Sequence, residues 1–132
     1  MGDKIGGDGS PVAKGGTNVV DRLDLTGHRV CGKPAPAVPV RLDYRESAGA
    51  WRQISSHETD ADGRCSQLLS EDSGLAEGFY RLTFDTAAYF GSQGIRGLYP
   101  LVEITFEVRS GESHFHIPLL LNPNGYTTYR GS

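Results

Sequence analysis

The sequence is poor in cysteine, the residue that forms disulfides and many structural zinc sites. Its 132 residues contain only two cysteines, Cys31 and Cys65, and these are not spaced as a zinc-binding pair. The N-terminal residues also lack the apolar segment of a secretory signal. We therefore expect two reduced thiols rather than a disulfide, and a cytoplasmic protein.

Long apolar runs, a basic excess and several common catalytic motifs are missing as well. No apolar stretch approaches the roughly 18 residues that cross a bilayer, so we expect no membrane partner. The formal net charge is −3. Because nucleic-acid binding needs a clustered cationic surface, we expect no nucleic-acid partner. The sequence has neither a Gly-x-Ser-x-Gly nucleophile elbow nor a phosphate-binding glycine-rich loop after a strand.

Glycine, by contrast, is abundant at the start of the chain. Residues 1–16 hold six glycines and too little apolar area to offset the entropy that is lost on ordering. We predict a flexible extension over residues 1–16 and one folded domain over residues 17–132.

Alternation of apolar and polar residues predicts that this domain is built from strands. The clearest pattern lies within Tyr99–Arg109. Asp85 offers an N-cap for one helix of two turns that ends near Gly94, and the polar residues 57–63 predict a loop that includes His57. Strands are predicted over residues 19–25, 38–45, 51–56, 79–84, 99–109, 114–121 and 126–130, with a turn or edge segment over residues 32–36. This composition predicts an all-β fold, an antiparallel β-sandwich of seven to eight strands with one short helix.

The C-terminal segment combines a strand pattern with two histidines. With a period of two, one face of residues 114–121 is fully apolar and should pack in the core. The opposite face carries His114 and His116 but is half apolar, so we expect another surface to cover it. The turn Asn122–Gly125 then predicts a hairpin, with proline at its second position and glycine at its fourth.

The polar residues singled out here also have simpler interpretations. Two imidazoles on one strand face can bind a metal, but no third ligand stands near them in the sequence, so we expect no metal site. For His116 the simpler alternative is a solvated histidine on a strand. For Arg64, at the exit of a loop, it is a surface arginine whose aliphatic stem packs on the protein.

Several motifs, in order along the chain, indicate a family resemblance. The sequence closes on Tyr129-Arg130-Gly131-Ser132. Upstream lie Gly32-Lys33-Pro34-Ala35, Asp62-Gly63-Arg64 and Phe79-Tyr80-Arg81-Leu82. Over residues 23–132 the chain resembles the transthyretin-like family, and in particular its enzymatic branch, the 5-hydroxyisourate hydrolases, whose chains close on the same tetrapeptide.

The resemblance implies an active site without a metal. In the family, an arginine placed like Arg64 and a histidine placed like His116 line the site, and the tail brings residues placed like Tyr129, Arg130 and Ser132 to the substrate. These residue types suit the chemistry. Imidazole exchanges a proton near neutral pH, and a guanidinium can stabilise negative charge that develops on a carbonyl oxygen.

A further family histidine has two candidate positions in this sequence. It normally stands in a Thr-His-Val-Leu-Asp context, a few residues before the Gly-x-Pro-Ala motif. Aligning Leu25-Thr26 with the family gives His28 the catalytic role, which we favour, but leaves three residues missing before Gly32. Aligning Leu23-Asp24 instead makes Asp21 the counterpart. The family imidazole would then be absent, which would put activity on the family's usual substrate in doubt.

The resemblance also implies a function and an assembly. The expected activity is a cofactor-free hydrolysis of a cyclic amide, 5-hydroxyisourate, to 2-oxo-4-hydroxy-4-carboxy-5-ureidoimidazoline in urate breakdown. The unusual residues 25–31 leave open a relative recruited as a hydrolase or cyclase for another heterocycle in a biosynthetic pathway. A non-catalytic carrier of a small ligand is a third possibility. Family members form homotetramers, dimers of dimers, with their sites where the dimers meet.

Overall fold

The structure is a computed structural model that describes residues 23–25, 33–65, 68, 76–110 and 115–130. Within these ranges the chain forms eight strands and one helix. The strands are β1 (Leu23–Leu25), β2 (Lys33–Pro34), β3 (Pro39–Arg45), β4 (Trp51–Glu58), β5 (Gly78–Phe84), β6 (Val102–Val108), β7 (Leu119–Asn122) and β8 (Gly125–Thr128). The helix is α1 (Thr86–Gly91). The predicted flexible extension over residues 1–16 lies outside the described residues.

The strands form two four-stranded sheets, ordered β2-β1-β7-β8 and β4-β3-β5-β6. Five of the six pairs are antiparallel and the β1–β7 pair is parallel. The predicted sandwich of seven to eight strands with one short helix is confirmed, with one parallel pair as the exception. Alternation within a strand does not encode the direction of its neighbour, so the sequence pattern could not predict that pair.

The core lies between the two sheets and takes side chains from both. In the β4-β3-β5-β6 sheet, Val40, Leu42 and Leu82 are at most 1% exposed, and in the other sheet Leu119 and Leu121 are equally buried. Burying one such side chain stabilises the fold by about 1.5–3 kcal/mol. The apolar face predicted for the C-terminal segment is therefore a core face.

Helix α1 begins where the sequence predicted and ends earlier. The Asp85 side chain accepts a hydrogen bond from the Ala88 amide at 3.0 Å, which confirms the N-cap. The helix ends at Gly91, and the next residues form a turn. Gly94, with a φ of +71°, closes this turn, and the Ile95 amide donates back to the Phe90 carbonyl at 2.9 Å.

Several strand boundaries differ from the prediction, among them the end of β4 and the start of β7. Strand β4 continues to Glu58, and His57 pairs with Val40, so the loop predicted to include His57 begins later. Strand β4 lies at a sheet edge, where polar side chains are compatible with strand structure. Strand β7 begins at Leu119 rather than at residue 114. Pro118 has no amide hydrogen to donate to a neighbouring strand, which favours a start after it.

Asp43 is a buried carboxylate that alternation alone did not predict. It lies on β3, on the face opposite Leu42, yet is only 3% exposed. Arg41 Nε and Arg81 Nη2 each donate to its Oδ2 at 3.2 Å. The Arg81 guanidinium also stacks over the Trp51 ring, 4.4 Å from the centroid. A buried carboxylate is costly unless it is paired, so these arginines make its burial tolerable.

The loop between α1 and β6 is attached to the turn of the β7–β8 hairpin. The Leu98 amide donates to the Pro123 carbonyl at 2.7 Å. A methyl group added at Gly97 would lie 3.1 Å from this carbonyl oxygen and 3.1 Å from the Phe90 ring. Glycine at this position therefore permits the close approach of the loop to the hairpin.

We predict that Gly97→Ala destabilises the protein, by about 1–2 kcal/mol, because the added methyl overpacks this junction. Gly91→Ala is the matched control, since nothing lies within 4 Å of its added methyl. Alanine also favours a helix over glycine, so this variant should be neutral or more stable by up to about 1 kcal/mol. Urea unfolding of the two variants measures the difference. Equal stability of the two would contradict the proposed close approach.

Candidate active site

His116 lies in the extended segment that leads into β7. Its neighbours Phe115 and Ile117 are 4% and 5% exposed and belong to the core. Because side chains alternate along an extended chain, His116 points away from the core. It is half-buried, and its Nε2 atom is buried. The predicted face of His116 is confirmed, whereas His114 lies outside the described residues.

The end of the chain returns beside the His116 segment. Strand β8 pairs with β7 in antiparallel register, with Thr128 opposite Leu119. The Thr128 hydroxyl donates to the Pro118 carbonyl at 2.7 Å, one residue before β7 begins. Since antiparallel partners run in opposite directions, the residues after Thr128 pass the residues before Leu119.

This return brings Arg130 to the residue that precedes His116. The guanidinium carbon of Arg130 lies 4.6 Å from the centroid of the Phe115 ring, a cation–π distance. Tyr129 is 55% exposed, which leaves its ring accessible from the surface of the chain. Ser132 lies outside the described residues.

Arg64 closes a tight turn that follows β4. The Asp60 carboxylate accepts hydrogen bonds from the Asp62 amide at 2.8 Å and from the Arg64 amide at 3.0 Å. The Asp60 carbonyl also accepts from the Gly63 amide at 2.9 Å. Gly63 has a φ of +74°, a conformation that favours glycine. These contacts fix the backbone of Arg64, and the residue as a whole is exposed.

Thr59 joins the turn of Arg64 to the segment that contains Lys33-Pro34-Ala35. Its hydroxyl donates to the Ala35 carbonyl at 2.6 Å and accepts from the Val38 amide at 2.9 Å. Thr59 is 4% exposed and Ala35 is fully buried. Two motifs of the family resemblance are thus held together by one buried side chain, which the sequence did not single out.

A row of aromatic rings connects the β4-β3-β5-β6 sheet to the His116 segment. The rings of Tyr44 and Tyr80 lie 5.0 Å apart, those of Tyr80 and Phe106 5.6 Å, and those of Phe106 and Phe115 5.5 Å. Burial raises the pKa of Tyr80 from 10.0 to about 12. Its hydroxyl donates to the Ala76 carbonyl at 2.8 Å. Tyr80 is therefore a structural group that stays protonated near neutral pH.

The two candidate positions of the further family histidine, His28 and Asp21, lie outside the described residues. The strand β1 contains Leu23 and Asp24 and pairs with β7 in parallel. Leu23-Asp24 is the pair that the second alignment equates with the Leu-Asp of the family's N-terminal strand. The assignment of the catalytic role to His28, with Asp21 as the alternative, stays a prediction.

Neither a metal-binding cluster nor a membrane-spanning helix occurs in the described ranges. No group of three or more histidine, cysteine, aspartate or glutamate residues there could hold a metal ion. In the same part of the chain, no helix has the length and apolar character to cross a membrane.

The sequence matches a known family. A model of the HIUase/Transthyretin family matches residues 25–131. The chain belongs to this family. The resemblance inferred from the sequence motifs is thereby confirmed.

The similar proteins of known sequence come from bacteria, fungi and animals. The 5-hydroxyisourate hydrolase of Salmonella typhimurium is 42% identical over 101 residues, which cover 76% of this chain and 73% of that protein. The mouse 5-hydroxyisourate hydrolase is 41% identical over 102 residues, with coverages of 76% and 86%. A probable 5-hydroxyisourate hydrolase of Schizosaccharomyces pombe is 43% identical over 113 residues, with coverages of 82% and 90%.

The similar solved structures include both a 5-hydroxyisourate hydrolase and a transthyretin. The 5-hydroxyisourate hydrolase of Klebsiella pneumoniae superposes with a TM-score of 0.66 at 34% identity, over 85% of this chain and 99% of that chain. Sea bream transthyretin in complex with thyroxine superposes with a TM-score of 0.73 at 32% identity, with coverages of 85% and 93%. Because both kinds of protein share the fold, the fold does not decide the function.

We predict that Thr59→Val destabilises the protein by about 2 kcal/mol, because it leaves a buried amide and a buried carbonyl without their hydroxyl partner. Thr59→Ser keeps the hydroxyl and is the matched control, expected to lose less. Urea unfolding measures both variants. If the valine variant were as stable as the serine variant, the hydroxyl would not be the link between the two segments.

Proposed function

We propose that this protein is a cofactor-free hydrolase that opens 5-hydroxyisourate to 2-oxo-4-hydroxy-4-carboxy-5-ureidoimidazoline. The observation that carries the proposal is the identity of about 40% to 5-hydroxyisourate hydrolases, over most of the chain. The family model covers residues 25–131, which include Arg64, His116, Tyr129 and Arg130, residues that the sequence motifs assign to the site. The contact between Arg130 and Phe115 supports the proposal, since it brings Arg130 to the segment that contains His116.

The reaction needs an activated water and a stabilised oxyanion. His116 accepts a proton from water, together with His28 if that residue holds the family position. The resulting hydroxide attacks the acylurea-type carbonyl of the ring. The ring carbon–nitrogen bond then breaks, and the leaving nitrogen takes up a proton. Water is the only co-reactant, so the step consumes no oxidant or reductant.

Arg64 and the tail bind the substrate in this proposal. A guanidinium donates parallel hydrogen bonds to a planar, carbonyl-rich heterocycle and stabilises negative charge that develops on its oxygen. Arg130 supplies a second positive charge, and Tyr129 and Ser132 supply hydroxyl groups. The cytoplasmic location expected from the sequence is part of the same proposal.

A carrier function is the second candidate, favoured by the similarity to sea bream transthyretin. A carrier would keep its affinity for a ligand when Arg64 and His116 are replaced, whereas an enzyme would lose rate. A hydrolase or cyclase acting on another heterocycle would retain the dependence on these residues but leave 5-hydroxyisourate unchanged.

We predict that micromolar protein accelerates the decay of freshly generated 5-hydroxyisourate, followed by ultraviolet absorbance. His116→Ala and Arg64→Ala should each reduce the rate by about 100-fold or more, because a proton-transfer group or an oxyanion partner is lost. His57→Ala and Arg52→Ala are matched controls on the exposed edge strand β4 and should keep the rate. Decay no faster than in buffer would rule out this substrate.

We further propose that the chain forms a homotetramer, a dimer of dimers. Strands β6 and β8 each form one edge of their sheet, and edge strands pair readily with a second copy. Large apolar side chains lie exposed near them, including Leu98 at 64% and Leu101 at 51%. Such residues favour an interface. On the His116 face, Pro118 is already buried within the chain and Leu120 is half-buried. A second copy therefore has less apolar surface to cover on this face than the sequence predicted.

We predict a mass of four times the 14.2 kDa chain by light scattering at micromolar concentration. Leu101→Asp places a charge in the proposed apolar contact and should shift the mass to a smaller species, because burying an unpaired charge is costly. Glu103→Gln, at the next exposed position on β6, is the control. A single-chain mass for the wild-type protein would contradict the assembly.

A further inference from the structure

Phe115 contacts both the core and the tail of the chain. By alternation it is one of the apolar residues that face the core, and it is 4% exposed. On the core side its ring lies 5.5 Å from the Phe106 ring, at an angle of 44°. Arg130 lies over the same ring, 4.6 Å from its centroid. The contact therefore joins a fixed core residue to an exposed arginine.

The ring is held in place by its neighbours on the opposite sheet. Phe106 stacks on Tyr80 at an angle of 18°, and the Tyr80 hydroxyl donates to the Ala76 carbonyl. An aromatic side chain has only two rotatable angles, so a packed ring loses little entropy when it receives a cation. Phe115 is thus a rigid platform for a guanidinium.

The contact fixes Arg130 relative to the backbone segment that carries His116. Phe115 and His116 are consecutive, so the ring and the imidazole share one stretch of backbone. Arg130 lies two residues after Thr128, the last residue of β8. The Thr128 hydroxyl already attaches the end of β8 to this segment by donating to the Pro118 carbonyl. A guanidinium over an aromatic face is attracted more strongly as its surroundings lose water. Closure of the site around a ligand would therefore strengthen the contact.

We infer that Phe115 is a positioning residue. Its ring holds the Arg130 guanidinium, and through it the neighbouring Tyr129, at a fixed place along the segment that carries His116. The kinetic consequence of this inference rests on the proposed function. The contact itself is independent of the substrate and can be measured without it.

Phe115→Leu keeps the apolar volume but removes the aromatic face. We expect kcat/KM for 5-hydroxyisourate to fall by about tenfold, because the arginine loses its platform. Phe84→Leu is the matched control, since Phe84 is fully buried in β5. It should lower the melting temperature to a similar or greater degree and change kcat/KM by less than about twofold. Phe115→Tyr retains the ring face and should recover most of the rate.

A double-mutant cycle separates positioning from general packing. If Phe115 acts through Arg130, then Phe115→Leu should reduce the rate of the Arg130→Ala protein by less than about twofold. The inference would be overturned if the reductions in kcat/KM of the two substitutions multiplied in the double variant. It would also be overturned if Phe115→Leu left kcat/KM unchanged. The cycle is measured on the full chain at matched assembly state.

A readout without substrate distinguishes failure of the inference from failure of the proposed function. Protons held over an aromatic face experience a ring-current shift in NMR spectra. The Arg130 side-chain protons should be shifted upfield in the wild-type protein and in Phe84→Leu, and should return toward their ordinary values in Phe115→Leu. Unshifted Arg130 protons in the wild-type protein would overturn the inference, whatever the activity. Inactive wild-type protein with shifted protons would overturn only the function.

Discussion

The register of the β7–β8 hairpin is the constraint on which the candidate site depends. Asn122 pairs with Gly125, so the connection contains only Pro123 and Asn124. The Asn122 side chain accepts a hydrogen bond from the Asn124 amide at 2.9 Å, which stabilises this short turn. A slip of one residue would exchange the two faces of β8 relative to β7. Arg130 would then no longer reach the ring of Phe115.

The hairpin is held in place by contacts with the loop between α1 and β6. The Pro123 carbonyl accepts from the Leu98 amide, and the Tyr126 ring packs edge-on against Tyr99 at 5.4 Å. On the opposite side, Phe106 packs against Phe115. The same packing that forms the core therefore also fixes β8 and Arg130, so the backbone geometry near His116 is built into the fold.

Much of the fold could be predicted from the residues, because its signals are local. Alternation predicted β3, β5 and β6, and a capping carboxylate predicted the start of α1. The Asn-Pro-Asn-Gly turn predicted the hairpin. The parallel β1–β7 pair and the burial of Asp43 depend on residues far away in sequence, and no local pattern encodes them. The start of β7 was placed too early because apolar alternation continues through Pro118.

The candidate site was predictable to a different degree. His116, Arg64 and the tail were selected by family resemblance, since a lone histidine or arginine has simpler interpretations. The roles of Thr59 and Phe115 could not be read from the sequence, because each depends on a partner brought close by folding. A hydrolase and a transthyretin that binds thyroxine share this sandwich, so a few side chains, rather than the architecture, decide the chemistry.

The central claim is that an imidazole, a guanidinium and the end of the chain meet at one ligand in the assembled protein. A crystal structure of the full chain with a stable analogue of 5-hydroxyisourate tests this most directly. The account predicts that His116, Arg64 and the Tyr129–Ser132 tail all contact the same analogue molecule, with subunits completing the site. An analogue bound away from these groups, or contacted by only one of them, would contradict it.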